Sequence, residues 1–209
     1  AGEADVESYV EKLLRGGAPA QEMTRLIDRL TTNETYFFRE PQHFNDLADR
    51  LPLVPPGTEF SVWSAASSSG EEAYSAAMLL TEQLGHAPWQ VIGTDLSLSM
   101  VESARRGLYP MERARMVPQA YLRRFCLKGQ DAQAGQLLVD RSLRTKVRFE
   151  QANLMQPLPE WLPQFDVIFL RNVLIYFDND AKAAIVRRVL GRLKPQGVLY
   201  TGHAESLSN

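Results

Sequence analysis

At 209 residues and a formal charge of −2, the chain has the length for one ordinary domain plus a small appendage, with enough core to fold unaided. The balanced charge excludes a global field for nucleic acid, and the single cysteine, Cys126, excludes a disulfide framework or a cysteine metal site within the chain. His43, His86 and His203 are scattered and read as satisfied or solvated side chains. No apolar run approaches the ~20 residues needed to cross a bilayer, and no signal peptide opens the sequence, so the cytoplasm is the expected compartment.

Residues 5–14 and 21–30 predict two short helices, separated by Gly16-Gly17 and a Pro19 suited to a helix start. Alone they bury little, and they resemble the end of a helical domain whose beginning is missing. The segment LTTNETYFFREP follows, with capping residues, three consecutive aromatics and Arg39; Pro41 then opens a helix to about Leu51. The stretch LPLVPPGTE is a proline-rich linker.

The next stretch, FSVWSAASSSGEEAYSAAMLLTEQL, predicts a buried strand over residues 60–64, a turn of small residues and an amphipathic helix. Ser69 is expected as N-cap, with Glu72 completing a capping box, which leaves Glu71 without a structural duty and makes it a functional candidate. A dinucleotide would place its pyrophosphate at this helix end, but the GxGxxG spacing is absent and Glu71 would repel a phosphate. A ligand cationic at this point, such as the amino acid on the nucleoside of S-adenosylmethionine, fits the charge. A helix that is merely well capped is the bland alternative.

Trp89 to Thr94 predicts the second strand, ending at Asp95, which either accepts the hydroxyls of a ribose or caps the helix over residues 98–106. Residues 107–145 break the strand–helix rhythm: a helix is expected over 118–125, then two short strands joined by a loop between Gly129 and Gly135. Between Arg105 and Lys128, seven basic residues, Arg105, Arg106, Arg113, Arg115, Arg123, Arg124 and Lys128, face one acid, Glu112. They read either as a solvated face or as a docking surface for an acidic partner. The third strand covers residues 146–151, followed by Asn153 and Leu154, suited to the edge and face of an adenine. The apolar run FDVIFL makes a buried fourth strand, with Arg171 and Asn172 at its carboxyl end. A helix over residues 180–193, stopped by KPQG, leads to a fifth strand at 197–202. The expectation is α/β: five parallel strands in the order 3-2-1-4-5, joined by right-handed crossovers, in a chain truncated before a C-terminal hairpin.

Together, LTTNETYFFREP, WSAASSSGEEAYS, GTDLS, the insertion, FDVIFLRNVLIYFD and GHAES resemble the chemotaxis receptor methyltransferases, the CheR family of glutamate O-methyltransferases, from about Leu30 to the end. The resemblance implies a Rossmann-like class I S-adenosylmethionine-dependent methyltransferase fold. On that reading residues 1–56 hold a remnant of an N-terminal helical domain, the cofactor-contacting segment and a linker, and 57–209 the cofactor-binding domain with its inserted β-subdomain. It further implies S-adenosylmethionine as methyl donor, with S-adenosylhomocysteine as product and no metal. The implied acceptors are glutamates on chemoreceptor cytoplasmic helices, and in some members the inserted subdomain grips a receptor C-terminal tail; neither nucleic acid nor membrane insertion is implied.

Carried over by position, the cofactor contacts fall on Asn33, Thr35, Arg39, Glu71, Asp95, Asn153, Leu154, Arg171 and Asn172, and Tyr176 matches a tyrosine close to the transferred methyl. Arg39 is the expected carboxylate clamp. Tyr176 either orients the acceptor or packs beneath the cleft. Where many members carry Gly-Cys, this chain has Ala66 and Ser67, which is expected to narrow the space for the cofactor. Three readings compete: a non-catalytic S-adenosylmethionine-binding signalling domain, an RNA methyltransferase suggested by the basic insertion, and a nucleotide-dependent oxidoreductase, which Glu71 and the missing glycines disfavour.

Overall fold

The computed structural model describes residues 35–205. The two helices predicted over 5–14 and 21–30, and Asn33, lie outside the described residues. The first element is α1 (Pro41–Arg50), opened by its proline as expected and followed by a 3-10 turn, Leu51–Leu53. Then come β1 (Phe60–Ser64), α2 (Glu71–Leu84), β2 (Trp89–Asp95) and α3 (Leu98–Arg106). The insertion contributes β3 (Leu108–Pro110), α4 (Gln119–Phe125), β4 (Cys126–Lys128), β5 (Gln136–Val139) and α5 (Arg141–Arg144). The remainder is β6 (Val147–Gln151), β7 (Phe165–Leu170), α6 (Asn179–Leu190) and β8 (Leu193–Thr201).

The larger sheet runs β6-β2-β1-β7-β8 with every neighbour parallel, which is the expected order. Its central strands are covered on both faces, which is why they read as continuous apolar runs. One face meets α1, α2 and the insertion through Val62, Phe149, Val167 and Phe169; the other meets α6 through Trp63, Ile168, Ile185 and Val189. Each such large apolar side chain, fully buried, contributes roughly 1.5–3 kcal/mol of transfer free energy. The one polar atom of Trp63 donates to Thr94 Oγ1 at 2.9 Å, so its burial leaves no donor orphaned.

Three local expectations are corrected. The helix α2 is not amphipathic over its first ten residues: Glu71 and Ala73 to Leu80 are all buried, because the helix lies between the sheet and the inserted subdomain. Its N-cap is Gly70, at φ 97°, with no side-chain cap, rather than Ser69 with a capping box. Glycine is required there by conformation and by space, since a Cβ would come within 2.8 Å of Ala104 Cβ. Finally β8 begins at Leu193, ahead of the predicted start. Lys-Pro-Gln-Gly is absorbed as an irregularity in its pairing with β7, with Gln196 at φ 66° and Lys194 bound to Asp166.

The insertion forms a second sheet, β3-β5-β4, antiparallel throughout. Sequence reading found β4 and β5 but not β3, three residues long and ending in proline. Alternation sorts the sheet's two faces. Tyr109, Leu137 and Val139 turn into the core, whereas Leu108 and Leu127 are exposed and align across Leu138 on the outer face.

Candidate active site

Parallel strands that share a direction end on the same edge, and their connecting loops there enclose a cleft. In this protein that edge carries a cavity of about 410 Å³. Ala65 to Ser68 after β1, Asp95 closing β2, Asn153 and Leu154 after β6, and Arg171 and Asn172 after β7 all line it. Thr35 and Arg39 reach it from the aromatic segment, and Tyr176, half-exposed, from a 3-10 turn over Leu174–Tyr176.

The turn after β1 is drawn tightly onto β2. Ser67 N–H donates to Thr94 O at 2.9 Å, and Ser68, at φ 48°, donates its N–H to Asp95 Oδ2 at 2.8 Å. The close approach depends on Gly93: a Cβ there would meet Phe149 at 2.6 Å and Ser67 Cβ at 3.1 Å. Asp95 Oδ1 accepts from Ser97 N–H at 2.9 Å, while the N-cap of α3 is Ser97 itself, accepting from Met100 N–H. Asp95 is therefore not the helix cap. It sets the turn and lines the cavity.

Charge gathers at the other end. The Arg171 side chain is only 2 % exposed; its Nε lies 3.4 Å from Glu72 Oε2 and 3.7 Å from Glu40 Oε2, and its Nη2 donates to Arg39 O. Burial raises the Glu72 carboxyl above its ordinary range, opposed first by the Arg171 charge and then by the hydrogen bond from Ser64 Oγ. Among the described residues, Arg171 Nη1 and Ser67 Oγ are buried without a hydrogen-bond partner. Both side chains line the cavity, so the site holds unused capacity to bind polar atoms. The loop after β7 is fixed from behind by Glu205. Its Oε2 accepts from Asn172 N–H at 2.7 Å and Gly202 N–H at 2.8 Å, and its Oε1 from Leu174 N–H at 2.6 Å.

Of the residues expected from sequence, Thr35, Arg39, Asp95, Asn153, Leu154, Arg171, Asn172 and Tyr176 come together around the cavity. Glu71 does not. It is fully buried behind the turn, accepting from Arg113 Nη1 at 2.6 Å and Ser69 Oγ at 2.7 Å, and it is Glu72, read from sequence as a capping residue, that lines the cavity. Successive helical residues point about 100° apart, so adjacent acids cannot share a face; sequence offered no means of telling which faced the cleft. Glu205 was also missed as a support, its only signal being its place in GHAES. Ala66 and Ser67 both line the wall, as their positions implied.

The basic insertion is likewise reapportioned. Arg113 pairs with Glu71, Arg105 with Glu150, Arg124 with Glu82, and Arg115 lies over the Tyr36 ring. Four of the seven cations are thus engaged within the chain, which weakens the RNA reading, while Arg106, Arg123 and Lys128 remain exposed. Among the described residues no group of three or more His, Cys, Asp or Glu is placed to hold a metal ion, and no helix is long and apolar enough to cross a membrane.

The chain is 38% identical to a chemotaxis protein methyltransferase of Salmonella typhimurium, across 94% of this chain and 68% of that protein. It is 39% identical to that of Escherichia coli, across 100% and 72%, and 37% identical to chemotaxis protein methyltransferase 2 of Pseudomonas aeruginosa, across 93% and 74%. Residues 33–209 match the family model described as "CheR methyltransferase, SAM binding domain". With that match covering most of its length and relatives this similar, the chain belongs to the CheR methyltransferase family.

Proposed function

We propose that this protein methylates glutamate side-chain carboxylates on the cytoplasmic helices of chemoreceptors, using S-adenosylmethionine, in the cytoplasm. The observation that carries the reading is the cavity with opposite polar ends. Asp95 stands at one, and at the other the buried Arg171 with its unpartnered Nη1 stands beside Glu72. These residues fit an adenosine that bears an amino acid. Asp95 accepts from the ribose hydroxyls, and Asn153 and Leu154 take the edge and face of the adenine. Glu72 receives the ammonium group and Arg171 the carboxylate of the amino acid, where a guanidinium offers two parallel donors. Thr35 and Asn172 complete the wall, and Asn33 retains its expected role as a cofactor contact outside the described residues.

When bound, S-adenosylmethionine supplies an electrophilic methyl group on sulfur and leaves as S-adenosylhomocysteine. The acceptor glutamate, with an unperturbed pKa of about 4.3, is already ionised at neutral pH, so no general base is needed. None is present in the form of a histidine or cysteine among the residues lining the cavity. What the chain supplies is placement and exclusion of water. Arg39 holds a carboxylate, and Tyr176, at the mouth, orients the incoming acceptor.

The inserted sheet is the proposed grip for a receptor's C-terminal tail. Its outer strands β3 and β4 are sheet edges available for strand addition, its outer face carries Leu108, Leu138 and Leu127, and Lys128 is exposed at the end of β4 to meet an acidic residue. The decisive experiment combines calorimetry of S-adenosylhomocysteine binding with transfer of radiolabelled methyl to a receptor cytoplasmic fragment. The label should appear in base-labile form. Binding without any such transfer would reduce the protein to a cofactor-binding module.

A further inference from the structure

The cofactor turn has an unusual support. Its backbone adopts left-handed conformations at Ser68 (φ 48°) and Gly70 (φ 97°), and the helix it feeds has no side-chain cap. Left-handed conformations outside glycine carry strain that persists only when the surroundings impose them. The inner side of the turn is held by Thr94 and Asp95. Its outer side is held by the insertion. Arg113 Nη1 donates to Ser69 Oγ at 2.9 Å and to Glu71 Oε1 at 2.6 Å, and the Ser69 hydroxyl in turn donates to Glu71 Oε2 at 2.7 Å. Tyr109, on the inner face of β3, donates its hydroxyl to Ser69 O at 2.7 Å. The same arginine reaches the other wall through its backbone: Phe37 N–H donates to Arg113 O at 3.0 Å, fixing the segment that carries Thr35 and Arg39. A further link, Phe38 N–H to Ser75 Oγ and Ser75 Oγ to Glu71 O, joins that segment back to α2.

No residue of the insertion lines the cavity, yet two of the cavity's walls hang from it. We infer that Arg113 and Tyr109 are positioning residues for the methyl-donor site: by bridging Ser69, Glu71 and Phe37 they hold the cofactor turn and the aromatic segment at the spacing that the donor requires. This rests on the cavity being the cofactor site proposed above. It gives the insertion a task within the methyltransferase domain itself, separate from any grip on a partner.

Calorimetry with S-adenosylhomocysteine tests it, because the dissociation constant and the binding-competent fraction are measured separately. A positioning role moves the first; a role confined to stability moves only the second. Arg113→Ala is expected to weaken binding about tenfold or more, as befits loss of charge-assisted hydrogen bonds, with the competent fraction unchanged. Tyr109→Phe, which keeps the buried ring and removes one hydrogen bond, should weaken it about threefold to tenfold. Arg113→Lys should recover part of the loss. Arg124→Ala is the control: it breaks a different bridge from the insertion to α2, at Glu82, and is expected to leave the dissociation constant as in wild type. Should Arg113→Ala fail to fold, Tyr109→Phe and Arg113→Lys decide. Wild-type dissociation constants in those variants overturn the inference, and so does an equal weakening in Arg124→Ala. A wild-type protein that does not bind S-adenosylhomocysteine would instead sink the cofactor reading.

Discussion

The first turn of α2 presents one carboxylate to each of two regions that use it differently. On the insertion side, Glu71 is wholly enclosed and spent: both its oxygens are bonded, and Arg113, Ser69 and Tyr109 form a closed set around it. On the cleft side, Glu72 stands with Arg171 among atoms that are only partly used, with Arg171 Nη1 and Ser67 Oγ lacking partners among the described residues. Both regions contain a largely enclosed acid near a guanidinium, and in both burial is the main force raising the acid's pKa. Ion pairing and a shifted pKa therefore do not distinguish structure from site here. Leftover hydrogen-bonding capacity does, since a seam satisfies itself and a binding site keeps donors for its ligand.

The sharpest way to break the comparison is Arg171→Ala. It leaves Glu40 and Glu72, both largely but not fully enclosed, without the Arg171 guanidinium, and a loss of roughly 3–5 kcal/mol in stability by chemical denaturation is expected. An unchanged midpoint would mean that the Arg171 pairing adds nothing to stability. Next, Asp95→Ala should cost roughly 1.5–3 kcal/mol of S-adenosylhomocysteine affinity, through lost charge-assisted bonds to the ribose. Unaltered calorimetric affinity would confine Asp95 to tethering Ser68 and Ser97. Arg39→Lys, replacing a planar fork by a point charge, should lower turnover about tenfold; methyl transfer at the wild-type rate would remove the clamp.

The two neighbouring acids offer the finest discrimination. Glu72→Gln should weaken cofactor binding about tenfold by removing a charge that faces an ammonium, whereas Glu71→Gln, still able to accept from Arg113, should stay within about threefold. The reverse ranking would exchange their roles. Their pH signature follows from the raised pKa. An acid whose folded-state value exceeds its unfolded 4.5 favours the folded state while protonated. That contribution is full below 4.5 and is lost as pH rises through the raised value. Melting temperatures of wild type relative to Glu72→Gln should accordingly decline as pH increases from 4.5, and a rise would show that the Arg171 pairing outweighs burial. The smallest effect concerns Cys126, whose thiol burial pushes up to about 12. Alkylation of the native protein at pH 8 should be negligible and become rapid on unfolding.

Much of the architecture was legible because it depends on short-range pattern. Continuous apolar runs such as FDVIFL announced strands covered on both faces, and polar residues placed abruptly at their ends announced the cleft edge. Asp95, Asn153, Arg171 and Asn172 needed only that rule. The strand β3 escaped because three residues ending in proline carry no periodicity, and the start of β8 escaped because proline and glycine look like a stop when they form a bulge.

Sequence alone determined the strand order, the edge that carries the cavity and the acidic character of the turn, since hydrophobic runs and strand ends are local properties of the chain. Tertiary structure decided which of two adjacent acids lines the cavity, and that Arg113 pairs with Glu71 and is not part of a free basic surface. Both outcomes depend on how an insertion more than thirty residues further along folds back over α2. No periodicity encodes that contact, because its free energy comes from groups far apart in sequence whose desolvation is offset only once they meet.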